Sequence, residues 1–138
     1  MTFALAEIER AVRAAWSTET TFATDEYLAR APERASRGQC GASALFVFDL
    51  LGGELMVADL ATGGVVDGVH YWNVVDGVTV DLTGDQFLTD ELLSSPSVVP
   101  RPSLPYPPAA RDAYLLLRRR ALATLGHPGL AHRHVVED

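Results

Sequence analysis

The chain has 138 residues, 48% hydrophobic and 21% charged, a composition that suits a globular domain rather than a disordered segment. A formal net charge of −7 argues against nucleic acid or an anionic membrane as a general partner. Every basic residue other than histidine is an arginine, so no lysine of this chain can form a Schiff base, serve a P-loop or accept an acyl group.

The one cysteine, Cys40, cannot close an internal disulfide, which fits a reducing compartment such as the cytoplasm. No apolar run reaches the length of a membrane span. Glu7 and Glu9 interrupt the N-terminal stretch where an export signal would be apolar. The length suits a single domain over 1–138, with a core over 1–93 and 109–125, a proline-rich connector over 94–108 and a mobile tail over 126–138.

In chain order, Leu5, Ile8, Val12, Ala15 and Trp16 recur at the spacing of one helical face, which predicts a helix over 4–16. "STETT", residues 17–21, ends it with side chains that compete for backbone hydrogen bonds. Residues 22–37 read as irregular chain or a short helix around "TDEYLARA". A second helix is predicted over 40–51, moderately buried, with Cys40, Ala44, Val47 and Leu51 on one face, and Gly52-Gly53 as its stop. Strands follow at 54–60, 69–75 and 78–83, then a short helix over 84–93. The stretch 94–108 holds six of the eight prolines and reads as extended chain, followed by a last helix over 109–125. Helices and strands are segregated, so the expected class is α+β around a small antiparallel sheet.

Asp76-Gly77 between two β-rich runs is a strong hairpin signal, because a type I′ turn needs positive φ at both central residues. With that turn Val75 faces Val78, Val74 faces Thr79, Asn73 faces Val80 and Trp72 faces Asp81. Side chains alternate with period two. His70, Trp72 and Val74 then share a face with Thr79, Asp81 and Thr83. Val69, Tyr71, Val75, Val78, Val80 and Leu82 form the expected core face, with Asn73 its one polar member. His70 and Asp81 become diagonal neighbours about 7–8 Å apart at Cα, a gap that an imidazole and a carboxylate bridge.

A carboxylate bonded to a histidine fixes its tautomer and favours the imidazolium. Cys40 lies in the first turn of the second helix, where unpaired N–H groups and the helix dipole favour an anion. A neighbouring imidazolium favours the thiolate further. The three residue types thus suit a nucleophile, a general base and acid, and an orienting group. The alternatives are plain: Cys40 as a small core residue, and His70–Asp81 as a polar brace.

"GQCGASALFVFDLLGG" followed by "HYWNVVDGVTVDLTGDQF" resembles the small bacterial YunG-like family. "AWSTET", residues 15–20, resembles a weaker N-terminal motif of that family. The order of a Gly-x-Cys at a helix start, a His followed by an aromatic on one strand and an Asp-x-Thr on the next also resembles the transglutaminase-like and papain-like group. The resemblance implies a papain-like fold, a Cys-bearing helix packed on an antiparallel sheet with flanking N- and C-terminal helices. It places Cys40 as nucleophile, His70 as base and Asp81 third. Papain-like peptidases carry an oxyanion-hole Gln a few residues before the cysteine. Here that position is Arg34, and Gln39 directly precedes Cys40.

The oxyanion and substrate-binding candidates are therefore Gln39, Trp16 and Trp72, beside the Cys40 backbone N–H. Gln39 and Trp72 read equally as a polar residue at a helix start and a packing residue. No metal site is expected: His127, His132 and His134 sit in the tail without a cysteine or a regular frame. No cofactor is expected either. "PRPSLPYPP" offers a polyproline II ligand or simply carries the chain to the last helix. The sequence points to a cysteine-dependent acyl-transfer enzyme acting on a peptide, protein or small amide by hydrolysis, deamidation or transamidation. The alternative is a non-catalytic binding or scaffolding module on the same fold with a relic triad.

Overall fold

The computed structural model describes residues 3–100 and 108–126. They form α1 (Leu5–Ala15), α2 (Asp25–Ala29), α3 (Cys40–Leu51), β1 (Glu54–Thr62), β2 (Val65–Val75), β3 (Val78–Val80), a 3₁₀ turn (Gly84–Gln86), β4 (Glu91–Leu93), β5 (Ser97–Val98) and α4 (Pro108–Leu125). The architecture is α+β, with helices flanking a small antiparallel sheet ordered β3-β2-β1-β4 and β5 paired beside β1. No helix among the described residues is long and apolar enough to cross a membrane.

Of the predicted face, α1 buries Ile8, Val12 and Ala15, with Ala11 beside them, while Leu5 is exposed and Trp16 half-buried. Thr24 caps α2, its hydroxyl accepting the Tyr27 N–H at 3.2 Å. α3 departs from the expected single face. Cys40 and every residue from Ala42 to Val47 are buried, because α3 packs on β2 with one side and on α4 with another. A helix covered all round shows no amphipathic stripe. α4 also packs on α1 and adds Tyr114, Leu117 and Leu122 to a core holding Ile8, Val12, Leu45 and Phe46.

The hairpin has the predicted register: Val75 pairs with Val78, Val74 with Thr79 and Asn73 with Val80. Asp76 has φ 51° and Gly77 φ 78°, the positive pair that a type I′ turn demands. β3 ends at Val80 rather than Thr83, and β2 begins at Val65 rather than Val69. The long β2 therefore has β3 beside it only over Asn73–Val75. Between β1 and β2, Leu60 pairs with Gly68 but Ala61 with Val66, so Asp67 is the extra residue of a β-bulge.

Residues 84–93 do not form a helix: a 3₁₀ turn leads into β4, which pairs with β1 through Leu60–Leu93, Ala61–Leu92 and Thr62–Glu91. The expected core face of the hairpin is also only partly buried. Val78 is 61% exposed and Val69 43%, whereas His70, on the opposite face, is 1% exposed. Both faces of β2 are covered around its middle, one by α3 and the other by residues 81–87. The tip of the hairpin projects past both. Residues 101–107 of the connector, and the tail with His127, His132 and His134, lie outside the described residues.

Gly53 has φ 79°, and a Cβ there would lie 2.3 Å from the Val74 carbonyl oxygen. Gly63 has φ 58°, with open space where a Cβ would be. Gly63→Ala should cost about 1–2 kcal/mol from backbone strain alone. Gly53→Ala should cost clearly more, since the β2 backbone must also move. Urea unfolding of both variants reads the difference; equal losses would contradict the packing described.

Candidate active site

The site forms where the N-terminus of α3 meets β2 beyond the end of β3. His70 Nε2 lies 2.8 Å from Asp81 Oδ2, so this nitrogen carries the hydrogen that the ring donates to the carboxylate. That leaves Nδ1 to the ring's other neighbours, Cys40, which acts on the imidazole by hydrogen bonding and charge, and Gln86. Trp72 stacks on the His70 ring at 5.4 Å between centroids, and Phe87 meets it edge-on at 4.7 Å. The ring is thereby held between an aromatic plane and an aromatic edge.

Burial opposes charge on His70, but the bonds to Asp81 and Cys40 and their negative charge outweigh it. The imidazole is raised from 6.5 to about 9. Burial first, then Cys40, also raises the Tyr71 hydroxyl above the usual phenol value.

Cys40 is 9% exposed and lines a cavity of about 200 Å³. The walls come from both faces of the sheet: Val69 and Tyr71 from one, Leu60 and Gly68 from the other. α3 is fixed at this position by Asn73, whose Nδ2 donates to the Ala44 carbonyl at 2.8 Å. As the first residue of α3, Cys40 has no intrahelical partner for its N–H, and neither have Gly41 and Ala42.

Gln39 is buried, its Oε1 accepting the Thr20 hydroxyl at 2.7 Å and its Nε2 donating to the Ser17 carbonyl at 3.0 Å. Trp16 donates its indole N–H to the Ser43 hydroxyl at 2.9 Å, one turn along α3 from Cys40. Trp72 lies against His70. Arg34, at the position where papain-like peptidases carry glutamine, donates to the Asp85 and Phe87 carbonyls.

Gln86 is a member of the site that the sequence reasoning missed. Its Oε1 accepts the Gly38 N–H at 3.0 Å and the Tyr27 hydroxyl at 2.8 Å. The Gly38 N–H can only donate, so the amide orientation is settled. Nε2 therefore donates to Thr83 Oγ1 at 3.0 Å and stands 3.5 Å from His70 Nδ1. Behind it lies a buried ion pair, Arg37 to Glu91 at 2.5 and 2.6 Å. Arg37 also donates to the Tyr27 carbonyl at 2.8 Å and the Gln86 carbonyl at 3.0 Å. The Arg37 guanidinium beside Glu91 holds that carboxyl below the usual carboxylate range. Sequence offered no signal for this pair, since its partners are 54 residues apart.

Residues 4–126 match a family model described as YunG protein. The chain belongs to the YunG family. No curated protein and no solved structure matches it. In this YunG-family chain the matched span takes in Cys40, His70, Asp81 and Gln86, so the whole cluster lies inside the family region.

The charges give stability a defined pH dependence. Glu91 is lowered from 4.5, so its contribution is present above that value and is lost as pH falls through the lower folded value. His70 is raised from 6.5 to about 9, so its contribution is complete below 6.5 and disappears as pH rises through 9. Thermal unfolding followed across pH should give the highest Tm between 4.5 and 6.5. In His70→Gln the decline between pH 6.5 and 9 should flatten. A Tm that still rises from pH 6.5 to 9 in the parent chain would contradict the His70 environment.

Proposed function

We propose that this YunG-family protein is a cysteine-dependent acyl-transfer enzyme on a papain-like arrangement, a Cys-bearing helix against a sheet that supplies base and orienting acid. The observation that carries the reading is His70 set between Asp81 and Cys40 beside a cavity. A relic triad in a non-catalytic module remains the competing reading, favoured by the burial of Cys40.

In the proposed cycle the Cys40 thiol gives its proton to His70 Nδ1 and Sγ attacks an amide carbonyl carbon, forming a C–S bond as the carbonyl π pair moves to oxygen. The oxyanion is met by the unpaired N–H of Cys40 and by its neighbours in the first turn of α3. The Trp16 indole N–H and one Gln39 N–H are directed to Ser43 and Ser17 instead. The oxyanion pair re-forms the carbonyl, the C–N bond breaks, and the leaving nitrogen takes the proton from His70 Nδ1. The thioester is then resolved by water or an amine, whose proton passes to Nδ1 as Cys40 leaves as thiolate. Asp81 holds Nε2–H throughout and keeps Nδ1 aimed at Cys40. The substrate is a peptide, protein or small amide, and hydrolysis, deamidation and transamidation all fit the scheme. A cytoplasmic setting would keep the thiol reduced.

The test is alkylation of native protein by iodoacetamide at pH 7, read by mass spectrometry. Cys40 should react faster than an ordinary thiol, His70→Ala should slow it roughly tenfold or more, and Cys40→Ala should abolish labelling. A rate no higher than that of an ordinary thiol, unchanged in His70→Ala, would remove the support for catalysis.

A further inference from the structure

The cavity beside Cys40 has walls of distinctive chemistry. Phe22, Tyr27, Tyr71 and Leu60 contribute to it, and Asp67 is the one carboxylate among its lining residues. Phe22 reaches the nucleophile's neighbour: a Cβ on Gly41 would lie 2.6 Å from Phe22 Cζ. Asp67 is there because it is the extra residue of the β2 bulge, a device that re-aims a side chain out of strand alternation. It is exposed, and Thr62 Oγ1 is its partner at 3.4 Å. No arginine lines the cavity. The nearest to Tyr27, Arg37, lies over that ring at 3.6 Å and is engaged by Glu91. A slot walled by aromatic rings, with one carboxylate and no arginine in its lining, suits a positively charged ligand.

We propose that the cavity selects substrates bearing a short alkylammonium group, which sits against Asp67 and the aromatic wall while the reacting carbonyl lies at Cys40. This rests on the acyl-transfer reading and narrows its substrate class: amides whose acyl or amine part is cationic, with anionic ones disfavoured. The cavity volume of about 200 Å³ suits a side chain or a small molecule rather than a folded partner inside it. Asp67 binds the charge and takes no part in bond making.

The test uses three methanethiosulfonates on the full chain: aminoethyl (cationic), sulfonatoethyl (anionic) and methyl (neutral). Each joins its thioalkyl group to Cys40 as a disulfide and releases methanesulfinate, and with one cysteine the site of reaction is unambiguous. Rates for the charged reagents are divided by the methyl reagent's rate on the same variant. The expected result is a cation-to-anion ratio well above one that falls about fivefold in Asp67→Asn and is kept in Asp67→Glu. High salt should shrink the ratio in the parent chain. An equal ratio in the parent and in Asp67→Asn would overturn the proposal. A methyl-reagent rate matching that of free cysteine would strike at the acyl-transfer reading instead, with the charge ratio still measurable.

Discussion

Two residues with positive φ, Asp76 and Gly77, set the register on which the site depends. Side chains on a strand alternate, so a slip of one residue would carry Asp81 to the face opposite His70. The turn admits one pairing, Val75 with Val78; the ladder runs two pairs further, to Asn73 with Val80, and Asp81 follows directly, with its Oδ2 2.8 Å from His70 Nε2. That contact in turn decides which ring nitrogen is left for Cys40. The chemistry of the site is thus fixed by a turn some distance from it. β3 ends at Val80, so β2 has that strand beside it only over Asn73–Val75.

The remaining precision comes from buried polar groups that have partners. Asn73 ties the interior of β2 to the α3 backbone, and Trp16 ties the end of α1 to Ser43 on the same helix. Arg37 joins the segment before α3 to the 3₁₀ turn and to β4 through Gln86 and Glu91. A buried ion pair of this kind contributes little net stability against an apolar substitute, but losing one partner is costly. What the pair supplies here is position: Gln86 is held where its amide faces His70 Nδ1, and Tyr27 where it closes one wall of the cavity.

Much of this was legible in the residues. The Gly52-Gly53 stop and the apolar run before it gave α3 its bounds, and Asp-Gly gave the hairpin register to the residue. The burial of His70 was not legible, because the cover on its face comes from residues 81–87, and alternation within a strand says nothing of what packs on it. β4 and β5 have three and two residues, too few for a periodic signal, and they exist only through pairing with β1. Arg37 and Glu91 look like ordinary surface charges in sequence and become a buried pair only when distant segments meet. Gln86 lies inside the stretch that resembles the family, but an isolated glutamine in a loop carries no pattern that marks it as part of a site.

Whether His70 senses both neighbours at once is measured directly by NMR of its ring nitrogens through a pH titration. The expected result is a hydrogen retained on Nε2, a midpoint near 9 in the parent chain, and a lower midpoint in both Asp81→Asn and Cys40→Ala. A midpoint at the ordinary 6.5, indifferent to the loss of Cys40, would contradict the account.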